Sequence, residues 1–217
     1  MAKEKLAVTV WNYKGGVGKT TISLILSQTA ARQGLKVLAV DLDEQKNLSE
    51  ALKLSQHNFP SIEIRNELHP EYAQDDFDFY VIDTHPSKDN NVKEAMQFAD
   101  IVLIPILPDF LSIINLRPVF NYVKSCGVGD GQVAIVKNAL TDFKLSYEIE
   151  KVLDEQSYVS VGRLPRSNIL ARNIASGDNW DKSMRQNQRE PFINLYARVW
   201  KAYIRMLSGD FHNIWGD

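Results

Sequence analysis

The sequence predicts an α/β protein, a mostly parallel sheet with helices on both faces. Three observations carry this expectation. Short, near-continuous apolar runs alternate with segments of helical periodicity from residue 6 to residue 207, the pattern of strands buried on both sides and joined by covering helices. A glycine-rich segment and several aspartates stand where apolar runs end, and ligands of such sheets collect beyond the carboxyl ends of the strands. The composition, 44% apolar and 24% charged over 217 residues, is that of a globular chain long enough to bury a core, which excludes disordered, collagen-like and coiled-coil classes. No repeat, low-complexity tract or linker divides the chain, so one domain over residues 1–217 is expected.

The elements follow in order. Residues 6–11 (LAVTVW) read as a buried strand running into the glycine-rich residues 15–18. Residues 20–33 read as a helix stopped by Gly34. Residues 35–40 (LKVLAV) form a second strand that ends beside Asp41 and Asp43. Residues 44–76 are polar and mixed, with one short strand candidate at 62–64. Residues 78–82 (DFYVI) make a strand ending at Asp83, 90–99 a helix, and 101–106 (IVLIPI) the most apolar strand. A helix over about 112–125 contains Pro118, which demands a kink or a late start. A strand at 132–136, a helix at 144–156, a short strand at 158–161 and helices at 169–176 and 191–207 complete the pattern.

The chemistry begins at residues 14–21, Lys-Gly-Gly-Val-Gly-Lys-Thr-Thr, between a strand and a helix. Glycines let the backbone curl so that N–H groups face phosphate oxygens, and the helix N-terminus adds partial positive charge. Gly15, Gly16, Val17 and Gly18 would cradle the phosphates, Lys19 would reach the β- and γ-phosphates, Thr20 would ligate Mg²⁺ and Thr21 would meet the α-phosphate. The first glycine of the simple phosphate-loop pattern is replaced by Tyr13, and Lys14 follows. This is the deviant Walker A form.

With V-D-L-D-E-Q-K-N-L-S at 40–49 and D-F-Y-V-I-D-T-H-P-S at 78–87, the chain resembles the ParA/MinD group of P-loop ATPases over nearly its whole length, most of all the small plasmid-partition members. The resemblance implies ATP held between two facing subunits, with Lys14 crossing to the partner's phosphates as an arginine finger does. It implies that Asp43 orients the attacking water and that Asp83, a Walker B carboxylate, holds Mg²⁺ through water, with Asp41 assigned to the same metal–water network. Asp41 and Asp43 are two apart and would share a face of a strand. The plainer alternatives are a solvated loop lysine at 14 and a strand-end capping aspartate at 43. The group usually has Pro and Gly where this chain has Glu44 and Lys46, and D-T-P-P where it has Asp83-Thr84-His85-Pro86, so the switch-loop conformation and the hydrolysis rate stand open. Asn138 would contact adenine or be a turn asparagine, and Pro165 would pack on the base.

The formal charge of −2 hides an asymmetry. Between residues 163 and 205 nine basic residues face three acidic ones, giving +6 and leaving −8 on the remainder. Arg172, Lys182, Arg185, Arg189, Arg198, Lys201 and Arg205 are therefore candidates for non-specific DNA contact, the alternative being a solvated helical face. The apolar stripe Phe192, Leu195, Tyr196, Val199, Trp200, Tyr203, Ile204 and Leu207 should dock the last helix on the sheet. The tail at 209–217 carries Phe211, Ile214 and Trp215 with only acids as fixed charges, which argues against membrane anchoring. No apolar run is long enough to span a membrane, and cytoplasmic, nucleoid-associated location is expected. A single cysteine, Cys126, excludes CxxC chemistry and the iron–sulfur relatives within one chain. The leading expectation is an ATP-dependent homodimer that binds DNA and is stimulated by a ParB-like or cargo-adaptor protein. A MinD-like membrane-associated ATPase and a metabolic P-loop enzyme are the alternatives.

Overall fold

The computed structural model describes residues 5–141, 147, 151, 153 and 159–209. The helix expected at 144–156 lies outside the described residues apart from Tyr147, Lys151 and Leu153, and the tail beyond 209 lies wholly outside them.

Seven strands form one sheet: β1 (Leu6–Val10), β2 (Val37–Asp41), β3 (Ile62–Arg65), β4 (Phe79–Asp83), β5 (Ile101–Ile106), β6 (Val133–Leu140) and β7 (Ser160–Pro165). Their order is β3-β2-β4-β1-β5-β6-β7, and every pairing is parallel. The helices are α1 (Lys19–Arg32), α2 (Asn47–Leu54), α3 (Asn90–Phe98), α4 (Phe110–Ile114), α5 (Leu116–Ser125), α6 (Asn168–Ala175) and α7 (Gln186–Leu207).

Side-chain alternation along the strands divides the core into two layers. Ile101 and Leu103 of β5 pack into one layer with Leu24, Leu52, Leu170, Phe192 and Leu195, from α1, α2, α6 and α7. Val102 and Ile104 point the other way, onto Val92 and Met96 of α3 and Val119 and Val123 of α5. This is why the strands are apolar without a polar face.

Several boundaries move from expectation, each for a local reason. Gly34, at φ +83°, stops α1 as expected. Residues 35 and 36 lie outside the strand, and β2 runs from Val37 to Asp41 instead of from 35 to 40. Pro118 is the third residue of α5, where its missing N–H costs no helical bond, so the late start holds and the helix breaks at Asn115. The polar stretch after Asp43 conceals α2, whose buried residues are Leu48, Ser49 and Leu52. The last helix begins at Gln186, five residues before Pro191. The proline costs one helical bond, to the carbonyl of an exposed Asn187 that water can serve. The apolar stripe docks through Phe192, Leu195, Tyr196, Val199 and Tyr203, but Ile204 and Leu207 are 53% and 54% exposed. The last turn keeps only Met206 against the core and turns Ile204 and Leu207 away from it.

Candidate nucleotide site

The loop from β1 to α1 turns through Gly16 and Gly18, at φ +72° and +93°, conformations that side chains beyond glycine enter at a cost. Gly18 is constrained twice, because a Cβ there would lie 2.1 Å from Asn138 Nδ2. Gly18 is also the N-cap of α1 and supplies no side-chain bond to it. The first-turn N–H groups of α1 therefore receive no bond from a capping side chain, the arrangement that suits a phosphate. Asn12 braces the loop by donating to the Pro105 carbonyl (2.8 Å) while its side-chain oxygen accepts the Lys14 N–H (2.9 Å). Lys19 is 7% exposed, with Nζ 3.4 Å from the Lys14 carbonyl. Burial pulls its ammonium below the ordinary lysine range against the opposing attraction of Asp83 and Asp43.

Thr20 donates to Asp83 Oδ2 (2.7 Å) and Ser23 to Oδ1 (3.0 Å). Ser23, one turn beyond Thr20, lies outside the phosphate-loop pattern; its signal is the i, i+3 spacing on α1. Asp83 is fully buried. Burial pushes its carboxyl up to about 7, helped by the neighbouring Asp41 and resisted by Thr20, Ser23 and Lys19. Asp41 and Asp83 are register partners on β2 and β4.

Asp41 is fully buried as well. Its oxygens accept the Asp43 N–H (3.2 Å) and the Ser49 N–H of α2 (2.8 Å). Both bonds are to the chain's own backbone, so Asp41 organises the switch loop and the start of α2. The shared-face argument for Asp41 and Asp43 fails, because β2 ends at Asp41. Asp43 lies in the loop, where Oδ1 accepts the Gln45 N–H (2.9 Å). Lys46 stands at φ +52°, a left-handed conformation that glycine takes more readily, and its Nζ bonds the Asp41 carbonyl (2.9 Å).

The half-buried Lys14 side chain is paired with a carboxylate. Its Nζ donates to both oxygens of Asp109 (2.9 and 2.7 Å) and lies 3.2 Å from Ser112 Oγ. Asp109 also caps α4 by accepting the Ser112 N–H (2.8 Å). Burial opposes its ionisation, but Lys14 and Ser112 outweigh that and hold the carboxyl below the usual range. Asp109 carries the D-x-x-S spacing of an N-cap.

Asn138 Nδ2 donates to the Val17 carbonyl (2.8 Å), so this amide props the loop from behind. Residues 138–140 sit at a register shift between β6 and β7, with Ala139 at φ +54° and Leu140 paired to Pro165. Thr21 lies in the first turn of α1, and Gly15 and Val17 in the loop. Of the basic candidates, Arg172, Lys182, Arg185, Arg189 and Lys201 are exposed, and Arg198 and Arg205 half-buried. Lys182 pairs with Asp178 (2.6 Å).

A family model described as an AAA domain matches residues 5–72, the segment holding the phosphate loop and the switch loop. A virulence plasmid ParA family protein of Chlamydia muridarum is 24% identical over 197 residues, covering 69% of this chain and 71% of that protein. A Borrelia burgdorferi B31 protein named for plasmid partition and bound to AMPPNP superposes with a TM-score of 0.75 at 16% identity, over 91% of this chain and 98% of that one. The fold is that of the ParA/MinD ATPases. The septum site-determining protein MinD of Pyrococcus horikoshii, complexed with Mg-ADP, gives a TM-score of 0.74 at 19% identity, over 95% of this chain and 98% of that chain. The ParA/MinD resemblance drawn from the three motifs is thereby borne out.

The residues present fit a magnesium nucleotide. Among the described residues the buried Asp83 carboxylate is hydrogen-bonded to two neutral hydroxyls, those of Thr20 and Ser23, and a nearby cation would favour its ionised form. Among the described residues no cluster of three His, Cys, Asp or Glu could hold a metal. A cation here would rest on the Thr20 hydroxyl, Asp83 through water, and phosphate oxygens, which is how Mg²⁺ is commonly bound.

Proposed function

We propose that this chain is a ParA-like ATPase: it binds ATP at the Gly15–Thr21 loop, pairs as a nucleotide-sandwich homodimer, binds DNA without sequence preference, and hydrolyses ATP on stimulation by a ParB-like or cargo-adaptor protein to partition or position a cargo. The observation that carries this reading is the buried Asp83 carboxylate held by Thr20 and Ser23 behind a glycine loop whose N-cap residue gives α1 no side-chain cap. When bound, Mg²⁺ neutralises phosphate charge. Lys19 and the loop N–H groups hold the phosphates. Asp43 orients the attacking water from the switch loop. Lys14 exchanges Asp109 for the phosphates of the partner subunit, so dimerisation and its release from α4 are one event. The +6 segment is doubled in the dimer, which couples DNA affinity to nucleotide state.

The test measures mass, ATP turnover and DNA retention with ATP and with ADP. Asp43→Ala is expected to accumulate as an ATP-bound dimer on DNA with turnover lost. Lys14→Ala is expected to bind nucleotide yet stay monomeric. An Asp43→Ala protein that remains monomeric with ATP and Mg²⁺ removes the sandwich model, and DNA retention indifferent to nucleotide removes the switch.

A further inference from the structure

Beyond Asp83 the chain runs through Thr84, His85 and Pro86 towards α3. Thr84 Oγ1 donates to the Val10 carbonyl (2.9 Å), fixing this segment to β1. The His85 ring then crosses to the switch loop, with Nδ1 3.1 Å from the Leu42 carbonyl oxygen. A carbonyl only accepts, so Nδ1 carries the proton of that bond. The opposite edge of the ring is fixed as well: Nε2 contacts Asp89 Oδ2. Asp89 is itself tied down, accepting from Ser87 Oγ (2.9 Å) and capping α3 through the Val92 N–H (3.0 Å). Burial works against ionisation of Asp89, but the Val92 N–H, the His85 ring and the Ser87 hydroxyl outweigh it and keep its carboxyl below the usual range.

The target of the ring gives it meaning. The Leu42 carbonyl and the Asp43 N–H belong to one peptide unit. Its carbonyl is held by His85, and its N–H by Asp41 Oδ1 at 3.2 Å. One residue earlier the Leu42 N–H donates to the Asp83 carbonyl (2.9 Å). A peptide plane gripped on both edges cannot rotate, and rotation of this plane would swing the Cα that carries the Asp43 carboxylate. A proline ring at position 85 would offer no donor for the carbonyl. We propose that His85 is a positioning residue for ATP hydrolysis, clamping the Leu42–Asp43 peptide so that Asp43 is presented in line and the switch loop is tied to the start of α3.

This inference rests on the ATPase reading, and the experiment separates the two. Turnover, nucleotide affinity and amide hydrogen exchange are measured for the full chain and for His85→Ala, His85→Asn and His85→Gln. The Asn amide nitrogen sits near the place of Nδ1, and that of Gln near the place of Nε2. His85→Ala should lower kcat about ten- to hundredfold at unchanged nucleotide affinity, and should speed exchange of the Asp43 amide. His85→Asn should restore most of the rate, and His85→Gln should behave like His85→Ala. Wild-type turnover or unaltered Asp43 exchange in His85→Ala, or equal rescue by Gln and Asn, overturns the clamp. Loss of nucleotide affinity in step with kcat also overturns it, because the ring then supports the site as a whole. A wild-type chain without Mg²⁺-dependent turnover overturns the ATPase reading itself and the proposed role with it, whereas the exchange measurement judges the clamp alone.

Discussion

Asp83 concentrates the electrostatics of the site in one residue. Its carboxyl is raised to about 7 from an ordinary value of 3.8, so the folded chain holds a proton that the unfolded chain has released. The unfolded state binds fewer protons between those two values, and folding stability falls as pH rises through that window. Above pH 7 the whole cost is present. Asp83→Asn removes it. In chelator and without nucleotide, the variant should therefore be more stable than wild type at pH 8, by about 2–4 kcal/mol, with the difference narrowing towards pH 4. Thermal melting across that range measures it, and equal pH slopes for the two proteins would refute the assignment. Mg-nucleotide should flatten the wild-type slope, because a bound cation favours the ionised form. Gly18 supports a second prediction at this scale. Gly18→Ala meets both a positive φ and Asn138 Nδ2 at 2.1 Å. Nucleotide affinity should fall at least tenfold, about 1.4 kcal/mol. Adding Asn138→Ala should recover only part of it, since the backbone conformation stays strained; full recovery in a titration of fluorescent nucleotide would show that the collision alone mattered.

At the scale of elements, α2 is held at both ends. Asp41 and Lys46 fix its start in the switch loop. At its other end Gly177, at φ +67°, approaches so closely that a Cβ would lie 2.6 Å from the Leu54 carbonyl oxygen. A buried relay completes the seat: Gln28 of α1 donates to Ser55 Oγ (3.0 Å) and accepts the Trp180 N–H (3.1 Å). Arg32 adds an ion pair with Asp181 and lies over the rings of Phe59 and Trp180. The connection from α6 to α7, which carries Lys182 and Arg185, is thus moored to the helix that follows the switch loop. Gly177→Ala should cost about 2–4 kcal/mol, from left-handed strain and overpacking together. Urea unfolding gives the number, and a loss below about 0.5 kcal/mol would mean the contact yields freely. Lys46→Gly should move stability by under about 1 kcal/mol, since relief of its left-handed backbone offsets the lost Nζ bond.

For the whole molecule the decisive quantity is the distribution of charge. A net −2 discourages a polyanion partner until it is resolved into −8 and +6. The exposed Arg185 and Arg189 stand at the start of α7, while Lys182 already spends its charge on Asp178. With ATP present, Arg185→Ala and Arg189→Ala should each weaken DNA binding uniformly across sequences and lower the salt slope by about 1. Lys182→Ala should do less. Fluorescence anisotropy over a salt series checks this, and a salt-independent affinity would refute a backbone-reading face. Among the described residues no helix is long and apolar enough to cross a membrane.

The sequence by itself determined the parallel α/β sheet, the phosphate loop and the aspartates at the strand ends. These are local signals: apolar runs of strand length, glycines where φ must be positive, and carboxylates that terminate strands. Folding decided what each group touches. Asp41 pairs with backbone of the switch loop, Lys14 is stored on Asp109 some ninety residues away, Asn138 props Val17, and His85 grips the peptide before Asp43. Helix α2 is not legible in the sequence because it is only eight residues long and sits inside a polar stretch, and it stands because Asp41 and Gly177 hold its two ends. The physical reason is the same in each case. A residue's intrinsic chemistry is written in its own side chain, whereas its partner is supplied by another strand or helix that only the packed sheet brings within hydrogen-bonding distance.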